Sequence, residues 1–182
     1  ELLVSKGADI NIKDNYGKTP LMWVSQVKLA ELLLSKGADI NIKDKNGETA
    51  LMCASSRGED KIIELLSNKG ADINIKNNYG KTPLMCASDM GKYKAVELLL
   101  SKDADINIKD NYGKTALDYA KAKNNNEIVK MLRGQAKSAV PETEQAKANV
   151  PKPSGDSSTK SSPNNAAIED RKQFKESSKD VP

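Results

Sequence analysis

Apolar residues fall along this chain in two short blocks per unit of 33 residues, and each block predicts a helix. In residues 44–76 the first block is Ala50-Leu51-Met52-Cys53-Ala54-Ser55, opened by Thr49 as its N-cap and closed by Gly58. The second block spaces Ile62, Ile63, Leu65 and Leu66 into one apolar stripe, with charged residues on the other side. Gly70 stands where that helix must stop, and a left-handed glycine is the usual stop. Ala71-Asp72-Ile73-Asn74-Ile75-Lys76 then runs extended to the next turn. The turn tetrad Asp44-Lys45-Asn46-Gly47 has Asp first and Gly last, as a tight turn prefers. The predicted unit is helix, tight turn, helix, then a hairpin-like finger.

The unit recurs. The text of Lys36 to Thr49 returns almost unchanged as Lys69 to Thr82 and as Lys102 to Thr115, and Lys6 to Thr19 opens the chain with it. Gly47, Gly80 and Gly113 lie 33 residues apart, which makes the chain a repeat array before it is anything else. We divide it into a partial repeat (1–13), a shortened repeat (14–43), two full repeats (44–76 and 77–109) and a capping repeat (110–134). The spacing from Gly17 to Gly47 is only 30 residues, and the loss falls near Ser25-Gln26-Val27. Three residues are almost one helical turn, so this unit is expected to be shortened or distorted. Asp103 replaces the glycine of a helix stop, at an expected cost of about 1 kcal/mol. Asn124 does so where Gly91 ended the earlier helix. The last helix closes with Ile128, Val129, Met131 and Leu132, and its surroundings carry Lys121, Lys123, Glu127, Lys130 and Arg133, as a water-facing terminal cap requires.

The pattern Asp-x-x-Gly-x-Thr-Pro-Leu, then Ala-Ser, Glu-Leu-Leu and Lys-Gly-Ala-Asp-Ile-Asn resembles the ankyrin repeat over residues 1–134. The resemblance implies an α-helical repeat solenoid of L-shaped units, with paired antiparallel helices stacked side by side and β-hairpin fingers projecting from them. It also implies binding of other macromolecules, usually proteins, along a concave face made by the fingers and first helices. The sequence departs from the family where a histidine follows Thr-Pro-Leu: Met22, Met52, Met85 and Asp118 stand there. The inter-repeat hydrogen bond of that histidine is therefore absent, and methionine packing can fill the place. The Leu-Met-x-Ala-Ser wording resembles bacterial ankyrin arrays more than animal ones.

Composition narrows the function. Of seven prolines, five lie in residues 135–182, which hold few large apolar side chains and are expected to form a disordered tail. The array carries 21 basic and 18 acidic residues and the tail 8 and 7, a balance that does not call for nucleic acid. No apolar run is long enough to span a membrane and no export signal is present, so a cytoplasmic, monomeric protein is expected. The chain starts inside a repeat, without Met, and further repeats or domains are expected ahead of it. Cys53 and Cys86 occupy equivalent positions and are expected as separate, buried thiols. There is no histidine, which removes the commonest general base and metal ligand. Cys53 and Cys86 share their slot with Trp23 and Tyr119, which reads as a packing position. No phosphate-binding glycine loop is present, no cofactor is implied, and no enzyme is expected.

The candidate chemistry lies at the finger tips. Tyr16, Tyr79 and Tyr112 fall in the turns, with Asn46 in the second unit, and lysines flank them. Tyrosine offers large, rigid contact area with a polar end. The resemblance adds first-helix positions to this face. The expected partner-binding set is Tyr16, Lys18, Lys45, Asn46, Arg57, Asn78, Tyr79, Lys81, Asp89, Met90, Asn111, Tyr112, Lys114 and Lys123. Lysine at the tips favours an acidic protein surface. A Tyr and Lys ladder could also stack on bases, but Asp14, Asp44, Glu48 and Asp110 dilute the field. The recurring Asp9, Asp39, Asp72 and Asp105 lack the ligand spacing of a calcium loop, and they and the asparagines two residues after each are read as bonding to their own finger backbone. Two other roles stay open: a spacer whose tail carries the recognition, or an accessory region of a larger protein with an upstream catalytic domain. Within the tail, Asn165 to Lys175 reads as a linker remnant before it reads as a short docking helix.

Overall fold

The computed structural model describes residues 9–138, with side chains to Gln135, and among these residues it contains eight helices and no strand. They pair as first and second helices of four units: α1 (Pro20–Trp23) with α2 (Val27–Ser35), α3 (Ala50–Arg57) with α4 (Asp60–Asn68), α5 (Pro83–Asp89) with α6 (Tyr93–Ser101), and α7 (Ala116–Ala122) with α8 (Asn126–Ser138). First helices pack on first helices and second on second, so the core is one continuous layer. Leu21, Leu51 and Leu84 are buried in the first row, and Ile63, Leu66, Leu99 and Leu132 in the second. Each such side chain contributes about 1.5–3 kcal/mol of hydrophobic stabilisation. Met22, Met52 and Met85 are fully buried in the family histidine's place, so packing does replace the polar link there. The tail expected at 135–182 lies outside the described residues beyond α8, which runs on to Ser138.

The helix limits follow the local chemistry. Thr49, Thr82 and Thr115 are N-caps whose hydroxyls accept from the backbone N–H of Met52, Met85 and Asp118. Asp118 returns the bond to Thr115 and completes a capping box, a use for the acid at the family's histidine place. Gly58 ends α3 in the left-handed region, and Asp103 and Asn124 adopt the same conformation at φ 61° and 58°. The shortened unit is shortened in α1, which has four residues and ends in extended backbone at Val24 and Gln26. Arg57 from the next unit occupies the gap: its Nη2 donates to the Met22 carbonyl at 3.0 Å while Glu59 holds the guanidinium at 2.8 and 3.0 Å.

Each finger turn is closed by two backbone bonds rather than a ladder, in the second unit from the Asp44 N–H to the Glu48 carbonyl at 2.9 Å and from the Gly47 N–H to the Asp44 carbonyl at 3.0 Å. Other finger groups reach forward to the next finger instead. The side-chain oxygens of Asn11, Asn41 and Asn74 accept from the N–H of Asp39, Asp72 and Asp105 at 2.9, 3.1 and 2.9 Å. The ammonium groups of Lys13, Lys43 and Lys76 donate to the carbonyls of Lys43, Lys76 and Lys109 at 3.1, 2.8 and 3.0 Å. At the tips, the carbonyls of Tyr16, Asn46 and Tyr79 accept from the N–H of Lys45, Asn78 and Asn111 at 3.1, 2.9 and 3.0 Å. The recurring aspartates do bond to their own fingers, as Asp72 does to the Asn74 N–H. The recurring asparagines and three of the tip-flanking lysines instead tie repeat to repeat.

Candidate functional site: the finger tips and first helices

The turn that presents each tip is built by one side chain. Asp14 Oδ1 accepts from the N–H of residues 16 and 18, and Asp44, Asn77 and Asp110 do the same in their own turns. This projects Tyr16, Tyr79 and Tyr112 outward, 71, 50 and 73 % exposed, with Lys18, Lys81 and Lys114 two residues behind each. Asn46 and Glu48 take these two places in the second unit and interrupt both rows.

The acid behind each tip meets the first-helix residue nine positions later. Trp23 Nε1 donates to Asp14 Oδ2 at 3.2 Å, and the Tyr119 hydroxyl donates to Asp110 Oδ2 at 2.5 Å. Burial raises the Asp110 carboxyl, but the Tyr119 hydroxyl and the turn N–H groups outweigh it and hold the group below its usual range. Burial and the same bond push Tyr119 up. In the two middle units the residue nine positions on is cysteine. Asn77 replaces Asp beside Cys86, whereas Asp44 beside Cys53 leaves Oδ2 buried with no hydrogen-bond partner among the described residues. The Lys18 ammonium, 3.9 Å away, is its nearest charge partner. The slot is thus a packing position at the cysteines and a polar clasp at Trp23 and Tyr119. Both cysteines are free and buried, and burial pushes the Cys86 thiol up to about 12.

A hollow of about 470 Å³ opens where the last two fingers meet the first helices, lined by Tyr79, Lys81, Tyr112 and Lys114 together with Glu48, Asn77 and Tyr119. The Lys81 ammonium lies 4.2 Å from the centre of the Tyr119 ring and 3.0 Å from Asp89 Oδ2. Burial pulls this lysine down, and Asp89 more than restores it to above its ordinary value. Lys114 stands 5.9 Å from the same ring.

Several expected site residues prove to be structural as well. Asp89 is shared between Lys81 and Lys123, the latter at 3.7 Å. Arg57 is committed to Met22 and Glu59. Asn78 and Asn111 donate their side-chain amides to the Lys45 and Asn78 carbonyls at 2.9 Å each. Met90 is 57 % exposed at the end of α5, and Lys45 and Asn46 are exposed in their turn. Trp23 was not among the expected residues, yet it is 60 % exposed, with Lys18 5.1 Å from its ring. With Ile12, Pro20 and Lys18 it borders a second hollow of about 260 Å³. Its readable signal was the nine-residue spacing from Asp14, shared with Asp110 and Tyr119.

No helix among the described residues is long and apolar enough to cross a membrane, and no group of three potential metal ligands occurs among them. The chain matches a family model described as ankyrin repeats (3 copies) over residues 1–44 and 24–110. No curated protein matches the chain. The family match spans more than half of the sequence and takes in the first three helix pairs, so the chain belongs to the ankyrin-repeat family.

Proposed function

We propose that this array is a non-catalytic protein-binding module whose partner lies across the finger tips and first helices. Ankyrin repeats are in general protein–protein interaction modules. The observation that carries the reading here is the row of exposed tyrosines, each backed by a lysine, of which Tyr79 and Tyr112 with Lys81 and Lys114 line a hollow beside Tyr119. The tips are held by hydrogen bonds within and between fingers, so little ordering of the receptor opposes association. A partner with an acidic surface suits Lys18, Lys81 and Lys114. Glu48 interrupts this row, which favours a patch of acidic residues over a continuous polyanion. The protein acts as a monomer and uses no cofactor in this reading.

The electrostatic part has its own test. In a binding assay with a partner captured from source lysate, Lys18→Gln with Lys114→Gln should weaken association about tenfold at low salt and flatten its salt dependence. Unchanged affinity at every salt concentration would contradict an acidic partner surface. Loss of capture on removal of residues 139–182 alone would move recognition to the tail.

A further inference from the structure

Every inner finger presents the same forward edge, and each edge is filled by the next finger. The edge consists of an asparagine side-chain oxygen, a lysine ammonium and the carbonyls of the turn. On the fourth finger these groups are Asn107 Oδ1, Lys109 Nζ and the Asn111 and Tyr112 carbonyls, and none has a partner among the described residues. No described residue fills the space in front. A Cβ at Gly17, Gly47 or Gly80 would meet the next finger's backbone at 2.9, 2.7 and 2.7 Å, whereas one at Gly113 meets no described residue within 4 Å. No fifth finger is encoded at the expected place: α8 continues through Gly134-Gln135-Ala136-Lys137-Ser138, where the finger text should begin. The final helix pair carries Lys121, Lys123, Lys130 and Arg133 as a polar end, while the final finger keeps the complete bonding set of an inner one.

An unfilled edge of main-chain acceptors is a template for a further peptide segment. We propose that the edge from Asn107 to Gly113 docks a peptide segment of a protein partner. The segment takes the finger conformation, turned after its first bonding residue as the fingers are after Asp39, Asp72 and Asp105. The three inner interfaces define its chemistry. The segment supplies a backbone N–H to Asn107 Oδ1, a carbonyl four residues later to Lys109, and six residues later an N–H to the Tyr112 carbonyl. Asparagine at that last place adds a bond to the Asn111 carbonyl, as Asn78 and Asn111 do inside the array. Proline at the first or last place is excluded, because it has no N–H to give. Backbone bonds supply affinity and the asparagine supplies selectivity. This edge adjoins the tyrosine face but does not depend on its side chains.

The test is a fluorescence-anisotropy titration of a labelled peptide with the sequence of residues 102–115 by the full chain. The expected result is saturable one-to-one binding, weakened about fivefold by Asn107→Ala, the worth of one net hydrogen bond. N-methylation of the peptide nitrogen that matches Asn111 N should weaken it at least tenfold. The Asn107 side chain bonds to no described residue, so the variant should melt like the parent. No binding, or equal binding by parent and variant, overturns the proposal. Self-association of the chain that Asn107→Ala abolishes, without peptide binding, overturns it in favour of a second copy as occupant. Tyr79→Ala should leave peptide binding intact, so failure at this edge and failure at the tyrosine face are separable.

Discussion

The acid behind each tip shows how one side chain sets the character of a repeat. Asp14 and Asp110 have a donor nine residues on, Asn77 has replaced the acid beside Cys86, and Asp44 retains it beside Cys53 with one oxygen unserved. The same substitution should therefore act in opposite directions at two equivalent places. Asp44→Asn should stabilise by about 1 kcal/mol, because it removes a buried carboxylate oxygen that has no hydrogen-bond donor and only a loose ion pair with Lys18. Asp110→Asn should destabilise by about 1 kcal/mol, because it weakens the bond from Tyr119. Urea denaturation of the two variants measures both, and shifts of the same sign would refute the pairing rule. The pH dependence follows from Asp110. Its carboxyl is held below the ordinary range in the fold, so its stabilisation is complete above the unfolded value near 4 and is lost as pH falls through the folded value. Acid titration of stability should show a smaller loss in Asp110→Asn than in the parent.

At the scale of elements, the weakest points are the departures from the repeat. Asp103 sits at φ 61° at the end of α6, where Gly37 and Gly70 hold the same place at 89°. Asp103→Gly should raise stability by about 1 kcal/mol, seen as a melting temperature several degrees higher. An unchanged or lower value would mean that the Asp103 side chain contributes something its surroundings do not show. The short helix α1 survives because Arg57 bonds the Met22 carbonyl. Arg57→Ala should cost about 1–2 kcal/mol, and Arg57→Lys should not restore it, since one ammonium cannot bridge Met22 and Glu59 as the guanidinium does. A parental denaturation midpoint in either variant would remove this account. The deletion near Ser25 to Val27 was readable from a spacing of 30 instead of 33 residues, and so were the left-handed positions of Asp103 and Asn124. Arg57 was not, because its partner lies 35 residues away and nothing local marks it. The finger asparagines were read as serving their own turns for the same reason: sequence displays the near partner and hides the stacked one.

At the scale of the array, closely similar repeats over the described residues make a ladder whose rungs are polar and whose core is a continuous apolar layer. That it is a repeat array could be read from the period, and the stacking of its helix pairs from the resemblance to ankyrin repeats, because each position inherits its surroundings from the position one unit before. The binding face was readable only as residue type. Tyr79, Tyr112, Lys81 and Lys114 line one hollow, a convergence that residue type did not show, and Tyr119 and Trp23 had looked like packing positions. Nothing in a single repeat shows that Asp89 would tie down two lysines, or that Arg57 would turn toward α1. The tyrosine row stays exposed, with no side-chain hydrogen bond among the described residues, and the functional reading stands on it.

The most direct measurement is the affinity of a captured partner for the full chain and for its Tyr79→Ala/Tyr112→Ala variant, with thermal melts to show that both are folded. Two hot-spot tyrosines are worth about 1–2 kcal/mol each, so the account predicts a loss of at least tenfold with little change in melting temperature. Equal affinity for parent and variant would contradict it and place the partner off the finger tips.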